Sequence, residues 1–214
     1  MNYPTLKFEK ELWKKGYKYV CGIDEVGRGP WAGPVVAAAV IFPADLDPKR
    51  IILLKDYPSL TIRDSKQLSP AQRELLDPII KQNCLAYSIC ETSVKIINRE
   101  GIVKASQRAY RKCLKKLNIP ADFILMDAFY IKNIPKELQK PIIKGDQKSV
   151  SIAAASIIAK VYRDNLMVEL HKEFPRYHFD KHKGYGTKLH SEAIKIHGLT
   201  PHHRVEFVPE ELTI

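Results

Sequence analysis

Two apolar runs joined by a Gly-rich bend place the strongest constraint on the fold. Residues 17–25 (YKYVCGIDE) and 34–42 (PVVAAAVIF) each have the length of a buried strand, and Gly27 and Gly29 lie between them. A hairpin is the shortest connection that can pair two such runs. The sequence therefore predicts two neighbouring strands joined by this bend.

Further apolar runs alternate with helical patterns along the rest of the chain. Strands are predicted over residues 84–91, 123–128 and 141–146. Helices are predicted over residues 5–15, 101–117, 150–174 and 188–197, and Ser69 followed by Pro70 marks the start of another toward Lys81. Loops are predicted over residues 43–63, with room for a short strand or helical turn, and over the basic stretch 177–190. This order predicts an α/β fold, a mixed sheet with helices packed on it.

Length and composition favour one compact unit. The chain has 214 residues without internal repeats or linker-like segments, so a single domain over residues 1–214 is expected. No apolar run approaches 18 residues and no signal sequence precedes the first strand, which predicts a cytoplasmic location and no membrane association. The four scattered cysteines are expected to be buried, reduced thiols. A formal net charge of +11 suits a polyanionic partner, although charge alone does not require one.

Acids stand at the ends of three predicted strands. Asp24 with Glu25, Asp127, and Asp146 each follow an apolar run, and ligand sites of α/β sheets tend to lie at the carboxyl ends of strands. Two carboxylates about 5 Å apart repel by about 3 kcal/mol at an effective dielectric constant near 20. A cluster of four would therefore carry protons or hold divalent cations, and oxygen-only ligands favour Mg²⁺ or Mn²⁺. The alternative is that each acid is simply an exposed strand end or a cap.

The bend after the first acids has a chemistry of its own. Gly27 and Gly29 let backbone N–H groups approach a ligand closely, and Arg28 supplies a guanidinium that matches phosphate. A G-x-G sequence by itself is more often a tight turn. Its position directly after Asp24 and Glu25 is what favours a binding role.

Several motifs together resemble one enzyme family. They are DEVGRGPWAGPVVAAAV from residue 24, RDSK at 63–66, LMD ending at 127, KGDQKS at 144–149, SIAAASIIAK at 151–160 and KGYGT at 183–187. In this order, over residues 18 to 207, the chain is similar to ribonuclease HII. The resemblance implies a ribonuclease H-like fold, with a five-stranded mixed sheet flanked by helices and a helical C-terminal portion from about residue 165 to 214.

The resemblance also implies an activity and a cofactor. Family members cut the RNA strand of RNA/DNA hybrids and nick 5′ of single ribonucleotides embedded in duplex DNA, which places the chain in ribonucleotide excision repair. The positions that match the family's catalytic, metal-binding acids are Asp24, Glu25, Asp127 and Asp146. Two ions, Mg²⁺ or Mn²⁺, would act there, one activating water and the other stabilising the leaving oxygen, to produce 5′-phosphate and 3′-hydroxyl ends.

Substrate contacts follow in part from the residues and in part from the resemblance. A nuclease that selects a ribonucleotide must read its 2′-hydroxyl, and backbone groups of Gly27, Arg28 and Gly29 are suited to this. The family tyrosine that matches Tyr185 stacks at the ribose of the RNA-to-DNA junction; a lone tyrosine in a basic loop would otherwise favour packing. Further contacts to the sugar–phosphate backbone of the nucleic acid are expected from Ser65, Lys66, Lys148, Ser149 and the basic residues between 181 and 188.

Other polar residues receive weaker interpretations. Asp64 is expected to orient neighbours rather than bind metal, and Asp164 either supports the site or is a helix-surface acid. His178 and His182 are spaced like zinc ligands on a helix, but the surrounding glycines and lysines favour surface histidines. His202, His203 and Arg204 are expected to be backbone-facing or structural.

Two other functional classes were weighed. A related strand-transfer enzyme would share the acids but should lack the GRG bend and the KGYGT motif. A non-catalytic RNA or hybrid-binding module would need the basic surface but not four acids at strand ends. The metal-dependent endonuclease, acting as a monomer, is therefore the preferred hypothesis.

Overall fold

A five-stranded sheet forms the centre of the molecule. The computed structural model describes residues 3–46 and 61–213, so most of the predicted loop 43–63 lies outside the described residues. The strands are β1 (Val20–Val26), β2 (Val35–Ile41), β3 (Ala86–Thr92), β4 (Phe123–Asp127) and β5 (Gln139–Ile142). Their order in the sheet is β3-β2-β1-β4-β5. β1 pairs antiparallel with β2 and parallel with β4, which confirms the predicted hairpin and the mixed sheet.

The helices also follow the predicted pattern, with two additions. They are α1 (Lys7–Lys14), α2 (Pro70–Asn83), α3 (Val94–Glu100), α4 (Ile102–Lys116), α5 (Val150–Glu173), α6 (Phe179–His182) and α7 (Lys188–His197). Ser69 caps α2 in a capping box with Gln72, as its sequence position indicates. Sequence analysis missed α3, which Gly101 separates from α4 at a φ of +79°, and it missed the single turn α6 inside the predicted loop 177–190.

Helix α5 packs across one face of the sheet. Its buried alanines, among them Ala153, Ala154 and Ala155, let the helix approach β1 and β2 closely, and α4 covers the opposite face. This arrangement leaves the carboxyl ends of β1 and β4 beside α5. No helix within the described ranges is long and apolar enough to cross a membrane.

Strand register brings two of the predicted acids to the same level. Ile23 on β1 pairs with Met126 on β4, so Asp24 and Asp127 each follow that pair by one residue. Ile23 and Met126 pack in the core beneath α4. Because successive side chains alternate between faces, Asp24 and Asp127 point to the α5 side, and Glu25 points back toward α4.

The prediction for Asp146 was wrong in its local structure. β5 ends at Ile142, and Asp146 lies four residues later on a 3₁₀ turn, Gly145–Gln147. Lys144 adopts a left-handed conformation with φ of +56°, which ends the extended strand before the acid is reached. The turn is nevertheless short enough to leave Asp146 at the same edge of the sheet.

The prediction that the four cysteines are buried is only half correct. All four cysteines are free thiols. Cys21 and Cys113 are buried, whereas Cys84 and Cys90 are half-buried because they lie at the end of α2 and on the edge strand β3.

Candidate active site

One cavity of about 270 Å³ at the carboxyl ends of β1 and β4 gathers most of the predicted site residues. Its lining includes Asp24, Glu25, Gly27, Arg28, Gly29, Ser65, Lys66, Asp127, Asp146 and Tyr185. Lys148 is outside this lining; its side chain is exposed, and its carbonyl accepts a hydrogen bond from the N–H of Thr5. Ser149 is also outside it and fully buried, where it donates to Glu9 at 2.6 Å and caps α5, so the expected contact from Ser149 to the substrate was wrong. The structure therefore brings together the predicted site residues other than Lys148, Ser149 and the basic residues between 181 and 188.

Asp24 is one of the two most buried acids of the site; the other is Asp146. The side chain of Asp24 is 6% exposed at the base of the cavity, where Ser156 of α5 hydrogen-bonds to it. Burial raises the pKa of Asp24 well above its usual range, and the charges of Glu25, Asp127 and Asp146 raise it further. Asp24 is thus held where a negative charge is unfavourable unless a cation compensates it.

Glu25 is held from the other side of the strand. The hydroxyl of Tyr110, on α4, donates to its carboxylate, and Arg28 donates from Nη1 at 3.2 Å. Burial raises the pKa of Glu25 despite these two partners. Tyr110 was not identified from the sequence. The sequence does not distinguish a buried helical tyrosine that bonds to a site carboxylate from one that only packs in the core.

Asp127 and Asp146 are linked through the short turn after β5. Asp127 Oδ1 accepts a hydrogen bond of 2.9 Å from the N–H of Gly145, the residue before Asp146. Burial raises the pKa of Asp146, as do the charges of Asp64 and Asp127, while Lys66 opposes that rise. The turn therefore fixes the fourth acid through a bond to the third.

The four acids, called here the acidic cluster, line the cavity but do not form a complete metal-binding site. Across residues 3–46 and 61–213, no three His, Cys, Asp or Glu side chains already converge closely enough to hold a metal ion. Glu25 is turned toward Tyr110 and Arg28, and Asp127 toward Gly145. The donor set is still oxygen-only and carries excess negative charge, which fits Mg²⁺ or Mn²⁺ better than a soft ion.

Two cations face the acidic cluster across the cavity. Burial alone would lower the pKa of Lys66, but the charges of Asp146, Asp64, Asp24 and Asp127 outweigh it and raise that pKa, so the ammonium is retained. Asp64 accepts hydrogen bonds from the N–H of Lys66 at 2.9 Å and from Gln147 at 3.1 Å, which is the orienting arrangement expected for it.

The second cation, Lys160, was not predicted from the sequence. Its position four residues after Ser156 on α5 was the signal that both side chains share a face.

Asp164 lies behind Lys160 rather than in the cavity. It accepts from Lys160 Nζ at 2.7 Å and from Arg73 Nη2 at 3.4 Å. Of the two interpretations left open for Asp164, a supporting position under Lys160 describes these contacts better than a free surface acid.

The bend after β1 needs glycine at one of its two positions. Gly27 has a φ of +90°, and a Cβ there would lie 2.2 Å from Nε of Arg163. Gly29 faces open space, since a Cβ there would have no heavy atom within 4 Å. Gly27 therefore serves the close packing of the bend, and Gly29 leaves room on the cavity side.

Buried Arg204 holds this bend through backbone carbonyls. Its guanidinium donates to the carbonyls of Gly27 at 2.6 Å, Arg28 at 2.9 Å and Gly33 at 2.9 Å. The side chain is fully buried, and burial together with the charge of Arg163 lowers its pKa to about 9. Arg204 is structural, as expected, but what it supports is the wall of the cavity.

Arg163 of α5 joins the bend to the second loop. It donates to the carbonyls of Pro34, Ala32 and Lys183, each at 3.0 Å. Residues 27–34 and 183–187, called here the glycine loops, are thereby tied to one guanidinium. Neither Arg163 nor Arg204 forms an ion pair with a carboxylate of the described chain.

Two neutral histidines hold the backbone of Tyr185. His190 Nδ1 lies 3.0 Å from the carbonyl of Tyr185 and must donate to it, so its Nε2 accepts from Nε2 of His203 at 3.0 Å. The N–H of Thr200 donates to Nδ1 of His203 at 2.8 Å, which fixes the complementary tautomer. Burial lowers the pKa of both histidines to about 4.

The prediction that His182 is a surface residue was wrong. His182 is buried, and its ring stacks on that of His190 with centroids 4.3 Å apart. Its Nδ1 accepts from the N–H of Gly184 at 3.2 Å. The lysines and glycines around it suggested an exposed loop, whereas the short helix α6 turns His182 inward.

Tyr185 itself stands at the edge of the cavity with its ring available. The side chain is 42% exposed, and Nζ of Lys160 lies 5.9 Å from the ring centroid. An aromatic ring beside a cation at the mouth of an acidic cavity is suited to contact a sugar and its phosphate.

Comparison with known proteins identifies the family of this chain. Residues 21–209 match the profile of the family described as Ribonuclease HII. Ribonuclease HII of Acholeplasma laidlawii is 46% identical over 209 residues, an alignment that covers 98% of this chain and 96% of that protein. The crystal structure of the ribonuclease H2 from Pyrococcus horikoshii OT3 has a TM-score of 0.68 at 25% identity and covers 88% of this chain and 93% of that one. The crystal structure of Bst-RNase HIII in complex with Mn²⁺ shares the fold, with a TM-score of 0.66 at 20% identity over 92% of this chain and 69% of that one. Because the profile and a relative of such high identity span nearly the whole sequence, this chain belongs to the ribonuclease HII family.

Proposed function

We propose that this member of the ribonuclease HII family cuts the RNA strand of RNA/DNA hybrids and nicks 5′ of single ribonucleotides in duplex DNA, with the acidic cluster as its catalytic centre. The observation that carries the proposal is that the acidic cluster and the glycine loops line one cavity. A hydrolytic centre and a surface that can read a ribose are therefore within reach of the same nucleotide.

The acidic cluster suits two divalent cations, Mg²⁺ or Mn²⁺. Asp24, Glu25, Asp127 and Asp146 would hold them, because the four carboxylates line one cavity and burial raises the pKa of Asp24, Glu25 and Asp146, so added positive charge is favourable there. The cations would supply an activated water and charge stabilisation at the leaving 3′ oxygen. Glu25 and Asp127 would have to leave their present hydrogen-bond partners to take part as ligands.

The remaining residues position the substrate. Lys66, oriented by Asp64, and Arg28 place positive charge beside the scissile phosphate. Of the glycine loops, Gly29 would lie beside the sugar, where the open space next to it admits a 2′-hydroxyl; the carbonyls of Gly27 and Arg28 are already bonded to Arg204. Tyr185 packs against the ribose at the junction. Lys148, which lies outside the cavity, would contact the duplex backbone farther from the scissile link.

The two competing classes fit the structure less well. A strand-transfer enzyme has no need of the arginine and histidine bonds that hold the glycine loops against the acidic cluster. A simple binding module has no need of Asp24, whose burial is unfavourable for a carboxylate that faces an anionic ligand.

The whole chain, residues 1–214, is proposed to act as one catalytic domain and as a monomer. The support is that Arg204, near the C-terminus, bonds to the bend at Gly27, so the helical C-terminal portion completes the site. A cytoplasmic location also stays a prediction.

A cleavage assay tests the proposed function. A DNA duplex that carries one ribonucleotide is incubated with Mg²⁺, Mn²⁺ or EDTA, and the product ends are mapped. We expect a nick 5′ of the ribonucleotide with either metal, leaving 3′-hydroxyl and 5′-phosphate ends. Nicking in EDTA, or equal nicking of an all-deoxy duplex, would contradict it.

A further inference from the structure

A second groove adjoins the cavity on the side of Arg28. It encloses about 310 Å³ and is mostly apolar. Val103, Ser106, Gln107 and Tyr110 of α4 form one wall, and Phe129, Tyr130 and Lys132 form the other. Arg28 lines both this groove and the cavity of the acidic cluster. A ligand that fills the cavity can therefore extend past Arg28 into this groove, called here the aromatic groove.

The aromatic wall begins directly after a metal-binding acid. Ala128, which follows Asp127, has a φ of +59°, an unfavourable conformation for a residue with a Cβ. The N–H of Phe129 bonds to the carbonyl of Asp127 at 2.8 Å, which completes a tight turn. The turn leaves the side chain of Phe129 60% exposed and that of Tyr130 45% exposed.

The backbone beneath these rings is firmly anchored. Gln107 donates to the carbonyl of Tyr130 at 3.0 Å and accepts from the N–H of Lys132 at 2.7 Å. Between them Ile131 is buried, and Gln139 bonds to both its N–H and its carbonyl. Two neighbouring aromatic rings are thus presented to solvent from a fixed backbone, which is typical of a binding surface rather than of a loose loop.

Cations flank both rings. The guanidinium of Arg28 lies 5.7 Å from the centroid of Phe129, and Nζ of Lys136 lies 5.7 Å from that of Tyr130. Lys132 lines the groove between them. Apolar rings interleaved with positive charge match a sugar–phosphate strand, whose sugars have apolar faces and whose phosphates are anionic.

We propose that the aromatic groove binds the sugar–phosphate backbone of duplex nucleotides flanking the scissile link, with Phe129 and Tyr130 packed against minor-groove sugars. This rests on the proposed function, because a site that reads a 2′-hydroxyl approaches an A-like duplex from its wide, shallow minor groove. The groove continues from that site through Arg28, so the flanking sugars of the same duplex are its occupant. The rings contact no reacting atom and act on affinity.

The test combines ring removal with substrate trimming. The double variant Phe129→Ala/Tyr130→Ala is compared with the intact protein on duplexes that carry one ribonucleotide and are shortened stepwise from either side. Affinity is measured by fluorescence anisotropy in Ca²⁺, and nicking rates are measured in Mg²⁺. Tyr87→Ala is the matched control, since Tyr87 is 42% exposed, close to the 45% of Tyr130, and its ring centroid lies 5.6 Å from Nζ of Lys81, but it lines neither cavity.

We expect the double variant to bind long duplexes about tenfold more weakly than the intact protein. This defect should disappear once the duplex is shortened on the side that lies in the aromatic groove. The nicking rate at saturating substrate should stay unchanged, and Tyr87→Ala should bind normally. An equal defect at every duplex length would overturn the proposal, because the rings would then act through the turn at Asp127; so would no defect at all. If removing this flank weakens duplex binding by the intact protein but the protein nicks no substrate, the proposed function is contradicted. The assignment of the aromatic groove to duplex binding would then remain.

Discussion

The acidic cluster and the glycine loops share a cavity, but they are positioned by different means. Two of the acids lie at the level set by the register of β1 and β4, so neighbouring hydrogen bonds of the sheet define their spacing. The glycine loops are set by side chains that arrive from distant parts of the chain, chiefly Arg163 and Arg204. In the proposed function, the chemistry would therefore depend on the sheet, and the selection of the sugar would depend on buried arginines and histidines.

The largest effect is expected from the acidic cluster. Asp127→Asn should reduce nicking in Mg²⁺ by about a thousandfold, because one anionic ligand is lost. Its melting temperature should stay the same or rise, since a repulsive charge is removed. Asp122→Asn is the control: Asp122 accepts from the N–H groups of Lys18 and Tyr19 outside the cavity, so its loss should lower stability and leave the rate unchanged. Wild-type cleavage by Asp127→Asn would exclude the metal-site assignment.

A smaller and more selective loss is expected at Tyr185. Tyr185→Ala should reduce nicking at a single ribonucleotide by about a hundredfold, because the ribose is no longer positioned. Calorimetric affinity for Mn²⁺ should be unchanged. Tyr185→Phe separates the ring from its hydroxyl, and Tyr162→Ala, at an exposed tyrosine on α5, serves as control. Equal activity of Tyr185→Ala on junction substrates would refute the role.

Arg204 tests whether the glycine loops depend on buried donors. Arg204→Gln leaves carbonyls of Gly27, Arg28 and Gly33 without their donors and should destabilise the fold by about 3 kcal/mol. At a temperature where it remains folded, its preference for a ribonucleotide over a deoxyribonucleotide should fall about tenfold while Mn²⁺ affinity is retained. Exposed Arg176, changed to Gln, is the control. An unchanged preference would mean that Arg204 supports only stability.

The smallest expected effect is an acid sensitivity of the loops. Burial lowers the pKa of His190 and His203 to about 4, from the usual 6.5 of an unfolded chain. Below pH 6.5 the histidines of the unfolded chain take up protons that the folded pair does not. The contribution of the two neutral histidines to the free energy of unfolding is therefore complete above pH 6.5 and declines as the pH falls toward 4. Melting temperatures at pH 7.5 and 5.0 should therefore differ less in His190→Gln/His203→Gln than in the wild type. Exposed His197→Gln should retain the full difference; a full difference in the double variant would contradict this explanation.

The same division explains what could be predicted from sequence. Asp24, Glu25 and Asp127 were identified because strand-length apolar runs end in acids, a local pattern that the sheet preserves. Asp146 reached the cavity although its predicted strand ended four residues early, because the turn from Lys144 returns it to the sheet edge.

The supports of the glycine loops were not predictable in this way. Arg163, Arg204 and His182 are buried against backbone carbonyls and N–H groups, and a sequence does not distinguish such residues from exposed ones. Their partners lie far away along the chain; Arg204 bonds to Gly27 across 177 positions. Only the packing of α5 and the C-terminal segment against the bend brings them together.

Anomalous diffraction from crystals of this protein grown with Mn²⁺ and a nicked, ribonucleotide-containing duplex would locate the metal relative to the scissile phosphate. We expect manganese peaks among the carboxylates of Asp24, Glu25, Asp127 and Asp146, adjacent to the phosphate at the nick. Manganese found only elsewhere, or a cavity in which these carboxylates bind the duplex without any metal, would contradict this expectation.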